Sequence, residues 1–290
     1  MNIIVTGANG QLGSELRAAA PGLPGHRFIF TDYAELDITD PAAIRRMVRA
    51  EAADAIINCA AYTQVDKAED DEAAAARLNS TAPTHLAEAA KEAGALLIHV
   101  STDYVFGGQG NTPYTEQDTP SPLGVYGRTK LAGEEAIRAV GCRHIILRTA
   151  WLYSTHGVNF VKTMRRLMRE REELSVVYDQ VGSPTYARDL ARAILAILQA
   201  PGLDAKLGTY HFTNEGVCSW YDFALAIRRL SGADGACRVK PCRSSEFPVK
   251  VQRPAFSVLD KAAVKATFGI EIPHWEVSLR ECISAMPADS

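Results

Sequence analysis

A tyrosine and a lysine stand four residues apart in the segment Tyr126-Gly-Arg-Thr-Lys130. Residues at this spacing share one face of a helix, so their side chains can act together. A nearby ammonium group favours the phenolate and lowers the pKa of a tyrosine, which would let Tyr126 exchange a proton near neutrality. We therefore predict proton transfer by Tyr126 with help from Lys130, although such a pair taken alone is more often an exposed helix pair.

Polar side chains follow an apolar run upstream of this pair. Residues 95–100 are almost entirely apolar, and Ser101, Thr102 and Asp103 come directly after them. In open α/β sheets, ligands bind at the carboxyl ends of the strands. Thr102 could donate a hydrogen bond to a substrate carbonyl oxygen, and Asp103 could orient a sugar or the tyrosine. The alternative is an ordinary polar turn after a strand.

A glycine-rich turn follows the first apolar run. Gly7, Gly10 and Gly13 are spaced three apart in TGANGQLG, and helical sequence begins at once with Gln11 and Leu12. Small residues let the chain turn tightly, let main-chain amides approach a pyrophosphate and let the helix pack close to the strand. The position of the turn predicts a bound dinucleotide, with a purely structural glycine turn as the alternative.

An acidic residue follows the second apolar run, residues 27–30. In dinucleotide-binding folds a carboxylate in this region binds the adenosine ribose, so Asp32 favours NADH over NADPH. Against this, Asp32 could be only a turn residue and Arg27 could reach a 2′-phosphate. Asp37, beside Ile38, is placed to accept a hydrogen bond from the adenine amino group or to cap a helix.

The composition excludes several classes of partner. The 290 residues include 31 basic and 34 acidic ones, a net charge of −3, which gives no polycationic surface for nucleic acid or an anionic membrane. The six cysteines form no CxxC pair, so we predict reduced thiols and no metal site, even at Cys237 and Cys242. Neither a signal peptide nor an apolar run of roughly 18 residues is present, which predicts a cytoplasmic protein that binds small molecules.

Short apolar runs alternate with segments of helical periodicity along the chain, which is typical of parallel strands joined by helices. We predict an α/β fold, a Rossmann-type doubly wound parallel sheet with a smaller C-terminal α+β substrate lobe. The predicted strands of the sheet are residues 2–5, 27–30, 55–59, 95–100, 144–147 and 174–177. Helices are expected to start near Gln11, Pro41, Asp66, Gly124 and Val158.

The same pattern predicts two lobes. Residues 1–150 and about 174–198 are assigned to the NAD(P)-binding domain, and residues 151–173 and 199–290 to the substrate lobe. Within the second lobe we expect a strand at 209–212, a helix from Ser219 and a short helix from Leu259.

The combination of TGxxGxxG, a Ser/Thr after the fourth strand and YxxxK resembles the extended short-chain dehydrogenase/reductase family. Longer stretches resemble its dTDP-4-dehydrorhamnose reductase branch over nearly the whole chain. They are AAYTQVDKAE (60–69), STDYVFGG (101–108), YGRTKLAGE (126–134), LRTAWLY (147–153), DQVGSPTY (179–186) and RPAFSVL (253–259).

This resemblance implies that NAD(P)H delivers hydride to C4 of dTDP-4-dehydro-L-rhamnose while Tyr126 protonates the resulting alkoxide. Lys130 would hold the nicotinamide ribose and lower the pKa of the tyrosine. Thr102 and Asp103 fall where the family binds the sugar, and Trp151 matches an aromatic wall of that site, although a lone Trp after a strand is more often part of a core.

Further positions match the family in supporting roles. The loop that lines the cofactor corresponds to Ala60, Ala61, Tyr62 and Thr63. Asn79 matches a helix position that supports the active site, and Arg253 either contacts the nucleotide diphosphate or is structural. The resemblance also implies a homodimer, in some relatives with Mg²⁺ at the contact, for which this sequence indicates no ligands.

Two other functional classes remain open at this point. The first is a nucleotide-sugar 4-epimerase, another 4-ketoreductase or a 4,6-dehydratase, but the dehydratase is disfavoured because Tyr104 follows Asp103 where an Asp-Glu pair is expected. The second is a regulatory subunit that binds NADP without catalysis, which would not need Tyr126 or Lys130.

Overall fold

The computed structural model describes residues 1–232 and 237–287. Its strands are β1 (Asn2–Thr6), β2 (Arg27–Phe30), β3 (Ala55–Asn58), β4 (Leu96–Thr102), β5 (His144–Thr149), β6 (Leu152–Tyr153), β7 (Glu173–Val177), β8 (Val181–Gly182), β9 (Thr185–Tyr186), β10 (Gly208–His211), β11 (Cys218–Ser219) and β12 (Arg238–Cys242). Its α-helices are α1 (Gln11–Ala19), α2 (Pro41–Ala50), α3 (Val65–Ala68), α4 (Glu72–Ala76), α5 (Ala82–Ala93), α6 (Val125–Val140), α7 (Phe160–Glu170), α8 (Ala187–Leu198), α9 (Trp220–Leu230), α10 (Ala262–Phe268) and α11 (Trp275–Ala285).

A six-stranded sheet in the order β10-β5-β4-β3-β1-β2 forms the centre of the fold. All of its strand pairs are parallel. After β2 the chain crosses back over β1 to β3, so the strand order reverses between the neighbouring strands β1 and β3. In doubly wound folds the cofactor crevice opens at such a switch point. The predicted Rossmann-type sheet is confirmed.

Helices cover both faces of this sheet because the central strands are apolar at successive positions. Ile3 and Val5 pack on one face with residues of α1 and α8. Ile4, which points the other way, packs with residues of α2 and α5. Full burial of each such side chain contributes about 1.5 to 3 kcal/mol, so the two layers fix the strand register that positions the polar residues at the strand ends.

The prediction for residues 174–177 is wrong in one respect. They do form a strand, β7, but it pairs with β12 in a separate two-stranded sheet. Side chains along β7 alternate, since Leu174 and Val176 are buried whereas Glu173 and Ser175 are exposed, and this pattern suits a strand with one solvated face. The sixth place in the central sheet is taken by β10, which the sequence pattern assigned to the smaller lobe.

A second apolar core lies among α7, α9, α11, β7 and β12, around Phe223, Trp275 and Leu279. The predicted start of a helix at Ser219 is confirmed, because Ser219 and Asp222 form a reciprocal capping box at the start of α9. The division into two lobes at the stated bounds stays a prediction, and residues 233–236 and 288–290 lie outside the described residues. Among the described helices, none has the length and apolar character needed to cross a membrane.

Candidate active site

The glycine turn between β1 and α1 leaves no room for side chains. Gly7 has φ +63, and a Cβ there would lie 2.7 Å from the main-chain nitrogen of Ala60. A Cβ on Gly13 would lie 2.5 Å from the Cα of Ala8. The helix begins after Gly10 with no side-chain cap and no acidic residue in its first turn, so its free N–H groups suit a phosphate. This cradle fits a dinucleotide.

The side chains of Gln11 and Leu12, the two residues after Gly10, make contacts within the fold. The Gln11 Oε1 accepts a hydrogen bond from Asn159 Nδ2 at 3.0 Å, and Leu12 is buried in the core. These two predicted cofactor residues therefore contribute main-chain groups to the turn. Asp32 lies beside it, since its Oδ2 accepts a hydrogen bond from the Asn9 N–H at 2.9 Å.

The structure changes two expectations about the residues near the adenosine part of the cofactor. Arg27 lies at the amino end of β2, about five residues or roughly 16 Å of strand from Asp32, and its Nη2 pairs with Glu51 Oε2 at 2.6 Å. The alternative in which Arg27 reaches a 2′-phosphate is therefore wrong. The Asp37 Oδ1 accepts hydrogen bonds from the N–H and the hydroxyl of Thr39, both at 2.8 Å, which is a local turn role. Ile38 is buried in the core.

We expect Gly13→Ala to weaken binding of NADH at least about tenfold, because the added Cβ would collide with the main chain of the turn. The dissociation constant is measured by quenching of protein fluorescence. Gly22→Ala is the matched control, since no atom lies within 4 Å of the Cβ position at Gly22. Equal affinity in the two variants would remove the turn from the cofactor site.

Asn79 joins the predicted cofactor loop, Ala60 to Thr63, to helix α6. Its Oδ1 accepts a hydrogen bond from the Tyr62 N–H at 2.8 Å. Its Nδ2 donates to the Tyr62 carbonyl at 3.0 Å and to Thr129 Oγ1 at 3.2 Å. Asn79 is fully buried, so the alternative of a solvated helix residue is wrong and its supporting role is structural.

Asn79 lies in a π-helical turn, which is wider than an α-helical turn. The helix expected from Asp66 is broken into α3, α4, a π-turn at Arg77–Thr81 and α5. Pro83 has no N–H and cannot donate to the carbonyl of Asn79 four residues earlier, which removes one α-helical hydrogen bond at this place. Hydrophobic periodicity alone could not predict the interruption.

The predicted proton-transfer residues come together where β4 ends and α6 begins. Tyr126 is the second residue of α6, and its phenol lies near enough to the Thr102 side chain for Thr102 to lower the pKa of Tyr126. Lys130 lies one turn further on, is 2 % exposed, and its Nζ donates to the carbonyl of Val100 at 2.7 Å. Glu69, which the sequence analysis missed, accepts a hydrogen bond from the Val125 N–H at 2.7 Å and caps the helix.

The expected lowering of the pKa of Tyr126 by Lys130 is not found. Burial raises the pKa of Tyr126 to about 12, the nearby Thr102 side chain lowers it, and the charge of Asp103 raises it further. Burial lowers the pKa of Lys130 to about 8. Tyr126 is therefore a neutral phenol at pH 7, the form that donates a proton.

Thr102 and Asp103 form the polar floor of this site. The Thr102 hydroxyl donates to Asp103 Oδ1 at 3.0 Å, so donation to a substrate carbonyl requires the hydroxyl to rotate. Asp103 is 2 % exposed, and burial raises its pKa to about 6. Its Oδ2 makes no hydrogen bond to the described residues, although the nearby Ser257 side chain lowers the pKa of the carboxyl, so Oδ2 can accept a hydrogen bond from a hydroxyl of a ligand.

Trp151 follows β5 at the same edge of the sheet, since Thr149 is the register partner of Thr102. Its ring stacks on that of Trp220 with centroids 3.5 Å apart. Its φ of +48 is rare for a residue with a Cβ, so the surrounding packing must hold it in place. The ring is partly exposed and can serve as an aromatic wall.

Arg253 comes from the C-terminal part of the chain. Its Nη2 pairs with Asp66 Oδ2 at 2.6 Å, which ties that part of the chain to α3. Its Nη1 is buried and has no hydrogen-bond partner among the described residues. Arg253 thus has one nitrogen in an ion pair and another nitrogen without a partner. The geometry fits both a structural role and a contact with the nucleotide diphosphate.

The chain is similar to known proteins over nearly its whole length. The family model described as RmlD substrate binding domain matches residues 1–287. A dTDP-4-dehydrorhamnose reductase of Mycobacterium tuberculosis is 44% identical over 99% of this chain and 94% of its own length. The crystal structure of a dTDP-4-dehydrorhamnose reductase from Clostridium acetobutylicum has a TM-score of 0.92 and 44% identity, covering 98% of this chain and 99% of the other.

A Bacillus anthracis dTDP-4-dehydrorhamnose reductase, solved in complex with NADP, has a TM-score of 0.91 and 38% identity, with 98% of each chain covered. The range matched by the family model, residues 1–287, includes the glycine turn, β4 and α6. The chain belongs to the RmlD substrate binding domain family.

Proposed function

We propose that this protein reduces dTDP-4-dehydro-L-rhamnose to dTDP-L-rhamnose, with Tyr126 as the proton donor. The observation that carries the proposal is that Tyr126 and Lys130 on α6 lie at the carboxyl end of β4, where Lys130 Nζ donates to the carbonyl of Val100 and Thr102 and Asp103 end the strand. Relatives that cover nearly the whole chain carry the name of this activity, which supports the choice of substrate.

NAD(P)H bound on the glycine turn supplies a hydride to C4 of the sugar. Tyr126 gives its phenolic proton to the oxygen on C4 as negative charge develops there. The Thr102 hydroxyl, after it rotates, donates a hydrogen bond to the same oxygen. Lys130 holds the ribose of the nicotinamide. The free Asp103 oxygen accepts a hydroxyl of the sugar, Trp151 covers the sugar face, and we assign Arg253 Nη1 to the diphosphate.

The cofactor preference depends on Asp32. NADP is present in the complex of the Bacillus anthracis relative, which supports NAD(P)H in general. A carboxylate beside the adenosine ribose repels a 2′-phosphate, so we propose that NADH is preferred.

We expect Asp32→Ala to lower the ratio of kcat/KM for NADH to that for NADPH by at least about tenfold, because a like-charge repulsion is removed. Both values come from the loss of absorbance of the reduced nucleotide. Asp54→Asn is the control, since Asp54 accepts a hydrogen bond from Asn2 at the amino ends of the strands, away from the glycine turn. An unchanged ratio in Asp32→Ala would refute the assignment of Asp32.

The proposal includes no resident metal. Among the described residues, no group of three or more His, Cys, Asp or Glu side chains could hold a metal ion. Mg²⁺ at a contact between two chains stays a prediction. A homodimer and a cytoplasmic location stay predictions. The oligomeric state can be measured by light scattering.

The test is an assay with enzymatically made dTDP-4-dehydro-L-rhamnose and each reduced nucleotide. We expect one nucleotide to be oxidised for each sugar reduced. A 4-epimerase would retain its nucleotide through turnover, and a regulatory subunit would bind NADP and leave it unchanged. No net oxidation of either nucleotide would therefore overturn the proposal.

A further inference from the structure

A buried row of polar side chains runs beneath the active site, from the glycine turn to Lys130. Thr6, Asn58, His99 and Lys130 are each at most 2 % exposed. Thr6 is the register partner of Asn58, and Asn58 that of His99, so three neighbouring strands place them side by side. Buried polar groups are normally fully hydrogen-bonded, so the direction of each bond can be derived.

The main chain settles the orientation of the Asn58 amide. The Ala60 N–H can only donate, and it lies 3.2 Å from Asn58 Oδ1, which also accepts from Thr6 Oγ1 at 2.7 Å. The Asn58 NH₂ group therefore faces Nδ1 of His99, at 3.0 Å. Since an amide NH₂ group only donates, Nδ1 must be the acceptor.

This fixes the tautomer of His99. Burial lowers the pKa of His99 well below its ordinary value, so the ring is neutral and its one proton is on Nε2. That nitrogen lies 3.4 Å from Lys130 Nζ. An ammonium group has no lone pair to accept the proton, whereas a neutral amine has one.

We propose that His99 is a positioning residue for Lys130, held by Asn58 in the Nε2–H tautomer so that it faces the lysine as a donor. The ring favours the neutral amine over the ammonium and makes Lys130 a stronger acid, in the same direction as burial. An acid whose pKa lies near the working pH exchanges protons most effectively. Together with the Val100 carbonyl, which accepts from Nζ at 2.7 Å, His99 also fixes where the amine lies.

Other ionisable groups around Lys130 act in the opposite direction. Glu134, one turn further along α6, and Cys59, after β3, both raise the pKa of Lys130. The Glu134 carboxylate is already paired with Arg148 at 2.7 Å and Arg138 at 3.0 Å. His99 is thus the neutral donor that opposes them.

The first test reads the tautomer directly, by ¹⁵N shifts of the ring nitrogens in protein labelled at histidine. The protein has seven histidines, and the signals of His99 are those lost in His99→Asn. We expect a protonated Nε2 and an unprotonated Nδ1 that do not titrate between about pH 6 and 9. A proton on Nδ1, or a charged ring, would overturn the inference.

The second test rests on the proposed function, because it measures catalysis. In His99→Asn the shorter amide keeps the bond to Asn58 but loses Lys130, and in His99→Gln the longer amide still reaches it. We expect the alkaline limb of kcat/KM, set by Lys130 at about pH 8, to move up by about one unit in His99→Asn and to stay nearer wild type in His99→Gln.

The control is His144→Asn, a half-buried histidine at the far end of β5 whose ring contacts the Cys142 carbonyl. An alkaline limb that is the same in wild type, His99→Asn and His144→Asn would refute the role of His99. If no reductase activity is found at all, the proposed function fails, while the ring-nitrogen shifts of the unliganded protein still decide the inference.

Discussion

Tyr126→Phe is expected to lower kcat by at least about a hundredfold, because the variant lacks the phenolic proton that the alkoxide must receive. The ring itself remains and keeps its edge-on contact with Tyr104, whose centroid is 5.4 Å away. The affinity for NADH should therefore change little. The two quantities are measured by steady-state kinetics and by fluorescence titration.

A matched variant separates this effect from a general loss of stability. Tyr210 is buried, and its hydroxyl donates to the Lys206 carbonyl at 2.8 Å on the edge strand β10. Tyr210→Phe should lose about 1 kcal/mol of stability with its kcat unchanged. A Tyr126→Phe enzyme as active as Tyr210→Phe would disprove the proton-donor assignment.

Lys130→Met is expected to reduce both turnover and cofactor binding. Methionine fills the buried space without a donor for the nicotinamide ribose or the Val100 carbonyl. Loss of the hydrogen bond to the ribose should raise the dissociation constant of NADH about tenfold. We expect kcat/KM to fall about a hundredfold or more, since the same group assists proton transfer.

Lys91 offers the matched control, because its Nζ also donates to a main-chain carbonyl, that of Val140, at 2.6 Å. It lies at the end of α5, and Lys91→Met should bind NADH and turn over as the wild type does. If Lys130→Met binds NADH with unchanged affinity, the role of Lys130 in holding the ribose is wrong and only an electrostatic role remains.

The central sheet was predictable because its strands are apolar on both faces and are separated by helical periodicity. The failure at β7 has a physical origin. Alternation of exposed and buried residues over four positions is compatible with an edge strand anywhere, and β7 finds its partner, β12, more than 60 residues later in the chain. Short polar strands such as β10 carry little apolar signal, so pairing with β5 could not be deduced from composition.

The candidate catalytic residues could be selected from the sequence because the chemistry proposed for them depends on spacing within one element. Tyr126 and Lys130 share a helix, and Thr102 and Asp103 share the end of a strand, so short motifs carry the information. The pKa of Tyr126 could not be predicted in this way. It depends on burial, a property of the folded surroundings, and burial outweighs any effect of the lysine four residues away.

The residues that were missed act across the fold. His99 lies inside an apolar run and is 41 residues from its partner Asn58. The neighbouring residues in the sequence therefore give no sign that these two side chains form a hydrogen bond. Glu69 caps a helix that starts 56 residues later. Such contacts are products of the parallel sheet, which brings distant segments together at the same level.

Transfer of deuterium from NADH that carries two deuterium atoms at C4 of its nicotinamide to dTDP-4-dehydro-L-rhamnose tests the central claim most directly. The account predicts one deuterium per product molecule, bonded to C4 of the sugar, with one NADH oxidised for each dTDP-L-rhamnose formed. Product NMR locates the label. A nucleotide that is not oxidised, or a product that carries no deuterium at C4, would contradict the proposed reduction.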